Sequence, residues 1–190
     1  MRKGDAIELK KMSVQEYIMF EESSDIRHEY FNGQLIPMPG TTTYHNLICQ
    51  NIIIALRLLL KGKGIDYRVF MENVKVQITN KKDYTYPDVF LTFDKRDFDK
   101  TYILEHPSII FEVSSPSTKV YDKTDKFIRF RKIPSLRHYI VVNSEKVDIE
   151  VFTKVGKEWV SENYSNKNDF LELSVIKIKL PITDIYAEVL

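Results

Sequence analysis

Two acidic residues stand in otherwise apolar segments, where a charged side chain needs a specific reason. Asp88 follows Tyr86-Pro87 at the start of one apolar run, and Glu112 lies inside another, Ile-Ile-Phe-Glu-Val over 109–113. A buried carboxylate without a partner costs several kcal/mol, so each acid must be solvated, paired or bound to a cation. Two carboxylates that converge from neighbouring strands repel each other, and Mg²⁺ relieves that repulsion through hard oxygen ligands. The backbone carbonyl of Val113 can join such a ligand set.

Ordinary structural roles explain the two acids better than a metal site does when they are considered alone. Asp88 would then cap the start of a strand, and Glu112 would pair with a neighbouring lysine. The choice between these roles and a metal site depends on the residues that follow Glu112 in the chain.

A basic segment follows Glu112. We expect a helix from Pro116 to about Lys132, on which Asp122, Lys126 and Arg129 share one face at i, i+4 and i+7. Between positions 119 and 137, basic residues outnumber acids seven to two, which favours a phosphate-containing substrate. Nucleic-acid contacts are assigned to Lys119, Lys123, Arg129, Arg131 and Lys132. The alternative is a solvated helix with an ordinary Asp122–Lys126 pair.

Length and composition restrict the class of protein. The chain has 190 residues, of which 43% are hydrophobic and 12% aromatic, and this predicts one globular domain over 1–190. The net charge of +1 argues against a generic polyanion binder but leaves local patches open. The single cysteine, Cys49, excludes an internal disulfide and is expected to pack in the core. The longest apolar run, 47–60, is interrupted by polar residues, and the first residues do not resemble a secretory signal. We therefore expect a cytoplasmic protein with no membrane contact.

Helices and strands alternate along the chain. Ser13 and Glu16 have the spacing of a capping box, which begins a helix to about Glu22. Asn32-Gly33 supplies the positive φ of a tight hairpin turn between strands at 27–31 and 34–38. Apolar spacing predicts a second helix over 44–61. Further strands are expected at 67–70, 74–78, 88–93, 109–113, 138–142, 147–153, 157–162 and 171–180, with a short helix within 182–189. This order predicts a mixed α/β fold with a central sheet flanked by helices.

Several of these segments form a recognisable set when they are taken together. The set comprises Tyr86-Pro-Asp88-Val89, Pro-Ser-Ile-Ile-Phe-Glu-Val-Ser-Ser-Pro-Ser-Thr over 107–118, Asp122-x-x-x-Lys126, Arg137-His-Tyr-Ile-Val-Val142, and upstream His28-Glu-Tyr-Phe-Asn-Gly with His45. These motifs resemble the Uma2 family, which is grouped with restriction endonucleases in the PD-(D/E)XK nuclease superfamily. The resemblance implies a restriction-endonuclease-like mixed central sheet flanked by helices, with an extra N-terminal hairpin and C-terminal strands.

The same resemblance implies a reaction and a set of catalytic residues. The reaction is Mg²⁺-dependent hydrolysis of DNA phosphodiester bonds, with Mn²⁺ as a substitute metal and a homodimer as the active unit. Asp88 and Glu112, with the Val113 carbonyl, are implied as metal ligands. The superfamily lysine, two residues after the glutamate, is replaced here by Ser114. Lys126 on the following helix is implied as a migrated catalytic lysine.

Three further side chains receive roles from the resemblance. Glu29 on the hairpin is an additional catalytic acid or water ligand, or else the partner of Arg27 or a lysine in a cross-strand salt bridge. Asp122 is expected to hold Lys126 in position. His45 is an auxiliary site residue, or a core histidine whose ring nitrogens are satisfied.

Two other functions stay open at this point. The chain could be a catalytically inactive nuclease-fold module that binds nucleic acid or protein, because a fold does not determine its chemistry and Ser114 replaces the expected lysine. It could also be a structural oligomerisation domain whose charged residues pair across an interface. The joint presence of Asp88, Glu112 and Lys126 favours the nuclease.

Overall fold

The computed structural model describes residues 11–38, 40–79, 82–115 and 122–190. The strands are β1 (His28–Phe31), β2 (Gln34–Pro37), β3 (Arg68–Met71), β4 (Lys75–Thr79), β5 (Asp83–Thr85), β6 (Val89–Thr92), β7 (Ile103–Leu104), β8 (Ile109–Ser114), β9 (His138–Asn143), β10 (Ile149–Val155), β11 (Glu158–Tyr164), β12 (Phe170–Leu173) and β13 (Ile178–Pro181). The α-helices are α1 (Val14–Ser23), α2 (Thr43–Leu60), α3 (Phe127–Phe130) and α4 (Ile182–Ile185).

The described strands form two larger sheets and one hairpin. Six strands lie in the order β11-β10-β9-β8-β6-β3, and within this sheet β8 and β9 run parallel while the other neighbours are antiparallel. Five strands form a second sheet in the order β2-β1-β5-β4-β7. Strands β12 and β13 pair with each other. The mixed α/β class is confirmed, and the N-terminal hairpin belongs to the second sheet.

The centre of the six-stranded sheet is buried on both faces. Alternate residues of β8 point to opposite sides, so Phe111 packs with Leu56 of α2 in one core cluster and Ile110 packs with Phe130 of α3 in another. Every residue of β8 and β9 is buried. A charged residue in such a strand has no route to bulk solvent except at the strand end.

The N-terminal predictions are confirmed in detail. Ser13 Oγ accepts from the Glu16 backbone N–H, and Glu16 Oε2 accepts from the Ser13 backbone N–H at 2.7 Å, which completes the capping box. Asn32 and Gly33 both have positive φ, 48° and 89°, as the tight turn requires. The hairpin lies at the edge of the five-stranded sheet.

The prediction of one long strand over 171–180 is wrong. A tight turn at Ser174–Ile176, followed by Lys177 with a φ of 51°, folds the segment into β12 and β13. The apolar alternation continues through both arms, because Leu171 pairs with Leu180 and both side chains are buried. Strands β5 and β7 were not predicted, since segments of three and two residues are too short for a periodic signal.

The basic helix also differs from its prediction. Residues 116–121, with Lys119 among them, lie outside the described residues. From Asp122 to Lys126 the chain forms a π-helical turn, and α3 then ends at Phe130 rather than at about Lys132. The Tyr139 hydroxyl donates to the Asp122 carbonyl at 2.8 Å, and side chains that reach into a helix backbone accompany such irregular turns. Among the helices of the described segments, none has the length and apolar character that a membrane span requires.

Candidate active site

Asp88 lies at the end of the six-stranded sheet where β6 and β8 run side by side. It directly precedes β6, whose first residue, Val89, pairs with Phe111 of β8. One further step along that register sets Asp88 beside Glu112. The Asp88 carboxylate is fixed because its Oδ2 accepts a 2.7 Å hydrogen bond from the Val113 backbone N–H. The two acids predicted as metal ligands therefore lie at the same end of adjacent strands.

Glu112 is a buried acid with one engaged oxygen and one unengaged oxygen. Its residue is 2% exposed, and Oε2 accepts a 2.9 Å hydrogen bond from Lys126 Nζ. Within the described residues, Oε1 is buried and has no hydrogen-bond partner. Leaving a buried acceptor unsatisfied costs about 1–3 kcal/mol, and more for a charged group. The position therefore suits a carboxylate that completes its bonding with a cation.

Lys126 links the acids of both sheets. Its ammonium lies 2.9 Å from Glu112 Oε2, 3.5 Å from Asp122 Oδ1 and 3.8 Å from Glu29 Oε1, and its side chain is 13% exposed. The π-helical turn supplies this position, and the Tyr139 hydroxyl anchors the first residue of that turn. The predicted Asp122–Lys126 contact is present within a larger cluster.

Glu29 reaches the cluster from β1 of the other sheet. It is 4% exposed, and the Thr85 hydroxyl donates a hydrogen bond to its Oε1. Of the two salt-bridge partners considered from the sequence, the lysine is the one it contacts, through Lys126. Arg27 donates instead to the Glu21 backbone carbonyl at 3.3 Å. Glu29 therefore lies on the hairpin side of the site.

His45 contacts Asp88 from the first turn of α2. Its Nε2 is 3.4 Å from Asp88 Oδ1, a charge contact without hydrogen-bond geometry, because Nε2 has no hydrogen-bond partner among the described residues. Burial lowers the pKa of His45, but the neighbouring Asp88 and Glu72 outweigh burial and the pKa is raised. The ring is thus coupled to the acid cluster and is not enclosed only by apolar core.

The cluster contains more negative than positive charge. Among the described residues, its carboxylates are Glu29, Asp88, Glu112 and Asp122, and its permanent cation is Lys126. Burial, with the charges of Asp88 and Asp122, raises the pKa of Glu112 well above its usual range. Like-charged acids that share a buried site raise one another's pKa, and a bound cation would favour their ionised forms.

The pKa shifts of Lys126 and Asp88 show that both groups keep their charge. Burial acts to lower the pKa of Lys126, but Glu112 and the other acids hold it well above its usual value, so it stays an ammonium. Burial acts to raise the pKa of Asp88, but His45, Lys126 and the Val113 N–H bring it below its usual value. Asp88 is therefore ionised and available as a ligand.

The predicted nucleic-acid contacts are divided by the structure. Lys123 Nζ pairs with Glu150 Oε2 at 2.6 Å, and the Arg129 guanidinium lies 3.7 Å from the centre of the Phe31 ring. Arg131 and Lys132 are exposed. Among the described members of this set, Arg131 and Lys132 are therefore the most accessible for contacts outside the molecule.

Sequence reasoning missed the residues that support the acids. Thr85 holds Glu29, and Tyr139 holds the turn that carries Lys126. The parallel register pairs Ile110 with Tyr139 and Glu112 with Val141, which sets the tyrosine on the Glu112 face. The Arg137–Val142 motif contains Tyr139 and marks the strand. Its pairing with β8, which places Tyr139 on the same face as Glu112, depends on contacts between distant parts of the chain.

Comparison with known proteins gives a consistent result. A family model, Uma2, described as "Putative restriction endonuclease", matches residues 14–183. Uncharacterized protein slr1290 of Synechocystis sp. is 35% identical over 177 residues, covering 93% of this chain and 92% of the relative. Uncharacterized protein sll1609 of the same organism is 29% identical over 172 residues, covering 89% and 96%.

A solved structure shares the fold. The crystal structure of "a putative nuclease belonging to DUF820" from Anabaena variabilis ATCC 29413 superposes with a TM-score of 0.78. The match covers 94% of this chain and 99% of that chain at 16% sequence identity. At this level of identity the match establishes the common architecture.

Proposed function

This chain belongs to the Uma2 family, and we propose that it is a Mg²⁺-dependent endonuclease that hydrolyses phosphodiester bonds of DNA. The observation that carries the proposal is the convergence of Asp88, Glu112 and Lys126 at one end of β6 and β8. Acids that would hold a cation beside a buried ammonium suit the cleavage of a phosphate ester, because the cation and the ammonium both stabilise negative charge that develops during the reaction.

The residues present fit a divalent cation. Among the described residues, three acids contact the Lys126 ammonium and Asp88 lies beside Glu112, whose Oε1 is buried without a hydrogen-bond partner. The donors are hard oxygens, which Mg²⁺ prefers, and Mn²⁺ accepts the same set. Asp88, Glu112 and the Val113 carbonyl would hold the ion. When bound, Mg²⁺ supplies Lewis-acid stabilisation of the phosphate and lowers the pKa of a water molecule.

The side chains of the protein contribute position and charge. Lys126 remains an ammonium in this surrounding, so it acts by donating hydrogen bonds toward phosphate oxygens and not as a base. Asp122 and Glu29 hold the ammonium from two sides, and Thr85 holds Glu29. Because Lys126 is already held in position before the substrate binds, little free energy is spent on reorienting it during the reaction.

The inactive-module alternative rests on Ser114. This residue occupies the position of the superfamily lysine, is fully buried, and its hydroxyl donates to the Val142 carbonyl at 3.4 Å. No charge reaches the site from position 114, so the nuclease proposal depends on Lys126. Exposed Arg131 and Lys132 are the proposed DNA contacts, and a homodimer is proposed because a duplex offers two strands to cut.

The test is nicking of supercoiled plasmid with and without Mg²⁺. We expect the wild-type chain to cleave the plasmid with Mg²⁺, and also when Mn²⁺ replaces Mg²⁺. Asp88→Asn and Glu112→Gln should both lose cleavage. The matched control is Asp99→Asn, an exposed acid that precedes β7. Cleavage that persists in both site variants would refute the assignment. DNA binding without cleavage by the folded wild type would favour the inactive module.

A further inference from the structure

A second group of ligand atoms lies beside the acid cluster. His45, Cys49 and Glu72 each offer one ligand atom, and the three atoms lie within 4.8 Å of one another. His45 and Cys49 are four residues apart on α2, so they share one helix face. Glu72 directly follows β3. Nitrogen, sulfur and oxygen donors therefore meet from two elements.

Two side-chain atoms of these three residues are buried without a hydrogen-bond partner in the part of the chain that the structure describes. They are His45 Nε2 and Glu72 Oε1. Buried polar atoms are satisfied in the great majority of native sites, and each exception calls for an explanation such as an ion. Because two such atoms belong to one group, a single bound cation would explain both.

The backbone fixes Glu72 at this place. Its φ is 36°, in the left-handed region that non-glycine residues seldom adopt, and its N–H donates to the Asp88 carbonyl at 3.0 Å. The same bond connects Glu72 to the acid cluster. His45 also contacts the acid cluster, with Nε2 3.4 Å from Asp88 Oδ1.

We propose that His45, Cys49 and Glu72 form a second cation site, specific for a borderline-soft metal of the Zn²⁺ class. Thiolate and imidazole ligands select such metals over Mg²⁺, whereas the neighbouring site offers only oxygen. Zn²⁺ bonds to these donors at about 2.0–2.3 Å, so the three atoms, which lie within 4.8 Å of one another, would move closer together to bind one ion. Three protein ligands leave a fourth position for water or for Asp88. The site goes beyond the proposed nuclease function, because it binds metal whether or not the chain cuts DNA.

Cys49 makes the proposal directly observable. It is the single cysteine of the chain, so any thiolate-to-metal charge transfer reports this residue alone. The experiment is a titration of the chelator-treated full chain with Co²⁺, followed by near-ultraviolet and visible absorption. We expect a thiolate-to-Co²⁺ band that saturates at one ion per chain, persists in excess Mg²⁺, and disappears when Zn²⁺ displaces Co²⁺.

Variants distinguish this site from the proposed magnesium site. Cys49→Ala should abolish the band, and Cys49→Ser serves as a second variant if Cys49→Ala fails to fold by circular dichroism. His45→Gln and Glu72→Gln should each weaken Co²⁺ binding by a factor of about 10 or more, since even a second-shell loss costs about 10–100-fold. Glu112→Gln should keep the band while it loses plasmid nicking.

Two results would overturn the proposal. One is the absence of a charge-transfer band in folded wild-type protein at millimolar Co²⁺. The other is an unchanged band in both His45→Gln and Glu72→Gln, which would mean that the thiol binds Co²⁺ without them. Loss of nicking in Glu112→Gln bears on the nuclease alone.

Discussion

Replacing Lys126 by methionine tests whether the buried acids form one charge cluster. Methionine keeps most of the volume of the side chain and removes its charge. The ammonium contacts three carboxylates at 2.9–3.8 Å, and its side chain is only 13% exposed. Without it, Glu112 and Asp88 lie side by side on adjacent strands, and no other Lys or Arg of the described residues pairs with either acid.

The magnitude follows from the burial of the pair. Removing one partner of a buried ion pair costs about 3–5 kcal/mol, because the other charge stays buried and uncompensated. The pKa of Glu112 is already raised by burial and by neighbouring acids, so this residue can take up a proton. We therefore expect a loss near the lower bound, about 3 kcal/mol, in the free energy of unfolding.

Magnesium should restore part of that loss. A cation that binds only the folded state stabilises it by about 2.7 kcal/mol at 100 times its dissociation constant. Because the variant lacks a competing ammonium, we expect Mg²⁺ to stabilise Lys126→Met more than it stabilises the wild type. The measurement is urea unfolding of both chains with and without Mg²⁺.

The matched control is Lys95→Met. Lys95 pairs with Asp66 at 3.1 Å, but the two side chains are 77% and 69% exposed. Exposed pairs contribute about 0–1 kcal/mol, so this variant should lose little stability and show no added response to Mg²⁺. An equally small loss for Lys126→Met, or an equal Mg²⁺ gain in variant and wild type, would refute the charge-cluster reasoning.

Three further outcomes are expected away from the metal ligands. Burial lowers the pKa of His138 from 6.5 to about 4. As the pH falls, His138 therefore binds a proton in the unfolded chain before it does so in the folded chain, which favours unfolding. The free energy of unfolding should fall by up to about 3 kcal/mol between pH 6.5 and 4. His138→Gln should flatten that dependence in urea titrations, and an unchanged slope would contradict it. Ser13→Ala removes the capping box and should cost about 1 kcal/mol by thermal unfolding, whereas a neutral result would mean that α1 is held by packing alone. Arg131→Gln and Lys132→Gln should each lower the salt slope of DNA binding by about 1, and unchanged slopes would exclude these side chains as phosphate contacts.

Local chemistry made the N-terminal elements predictable from sequence. The Ser13–Glu16 capping box and the Asn32-Gly33 turn depend on contacts within a few residues, and both are present as expected. The apolar face of α2 is likewise a local pattern, and its residues Ile52 and Leu56 are fully buried. Where the physical cause is local, the sequence was sufficient.

Features that depend on contacts between distant residues could not be predicted from the sequence. The π-helical turn at Asp122–Lys126 accompanies a bond to Tyr139, which lies on another strand. The strand over 171–180 keeps its apolar alternation through a turn, so the periodic pattern gave no sign of the fold-back. The sequence predicts only packing for Cys49, because Glu72, 23 positions along the chain, comes near it through the tertiary fold. The sequence identifies the acids themselves, but not Thr85 and Tyr139, which hold Glu29 and the turn that carries Lys126.

The central claim is that Asp88 and Glu112 share one divalent cation beside Lys126. The direct measurement is a crystal structure of the chain grown with Mn²⁺, with anomalous scattering used to locate the metal. We expect an anomalous peak bound by Asp88, Glu112 Oε1 and the Val113 carbonyl, with the Lys126 ammonium nearby. Full Mn²⁺ occupancy elsewhere, with Glu112 bonded to Lys126 alone, would contradict the account.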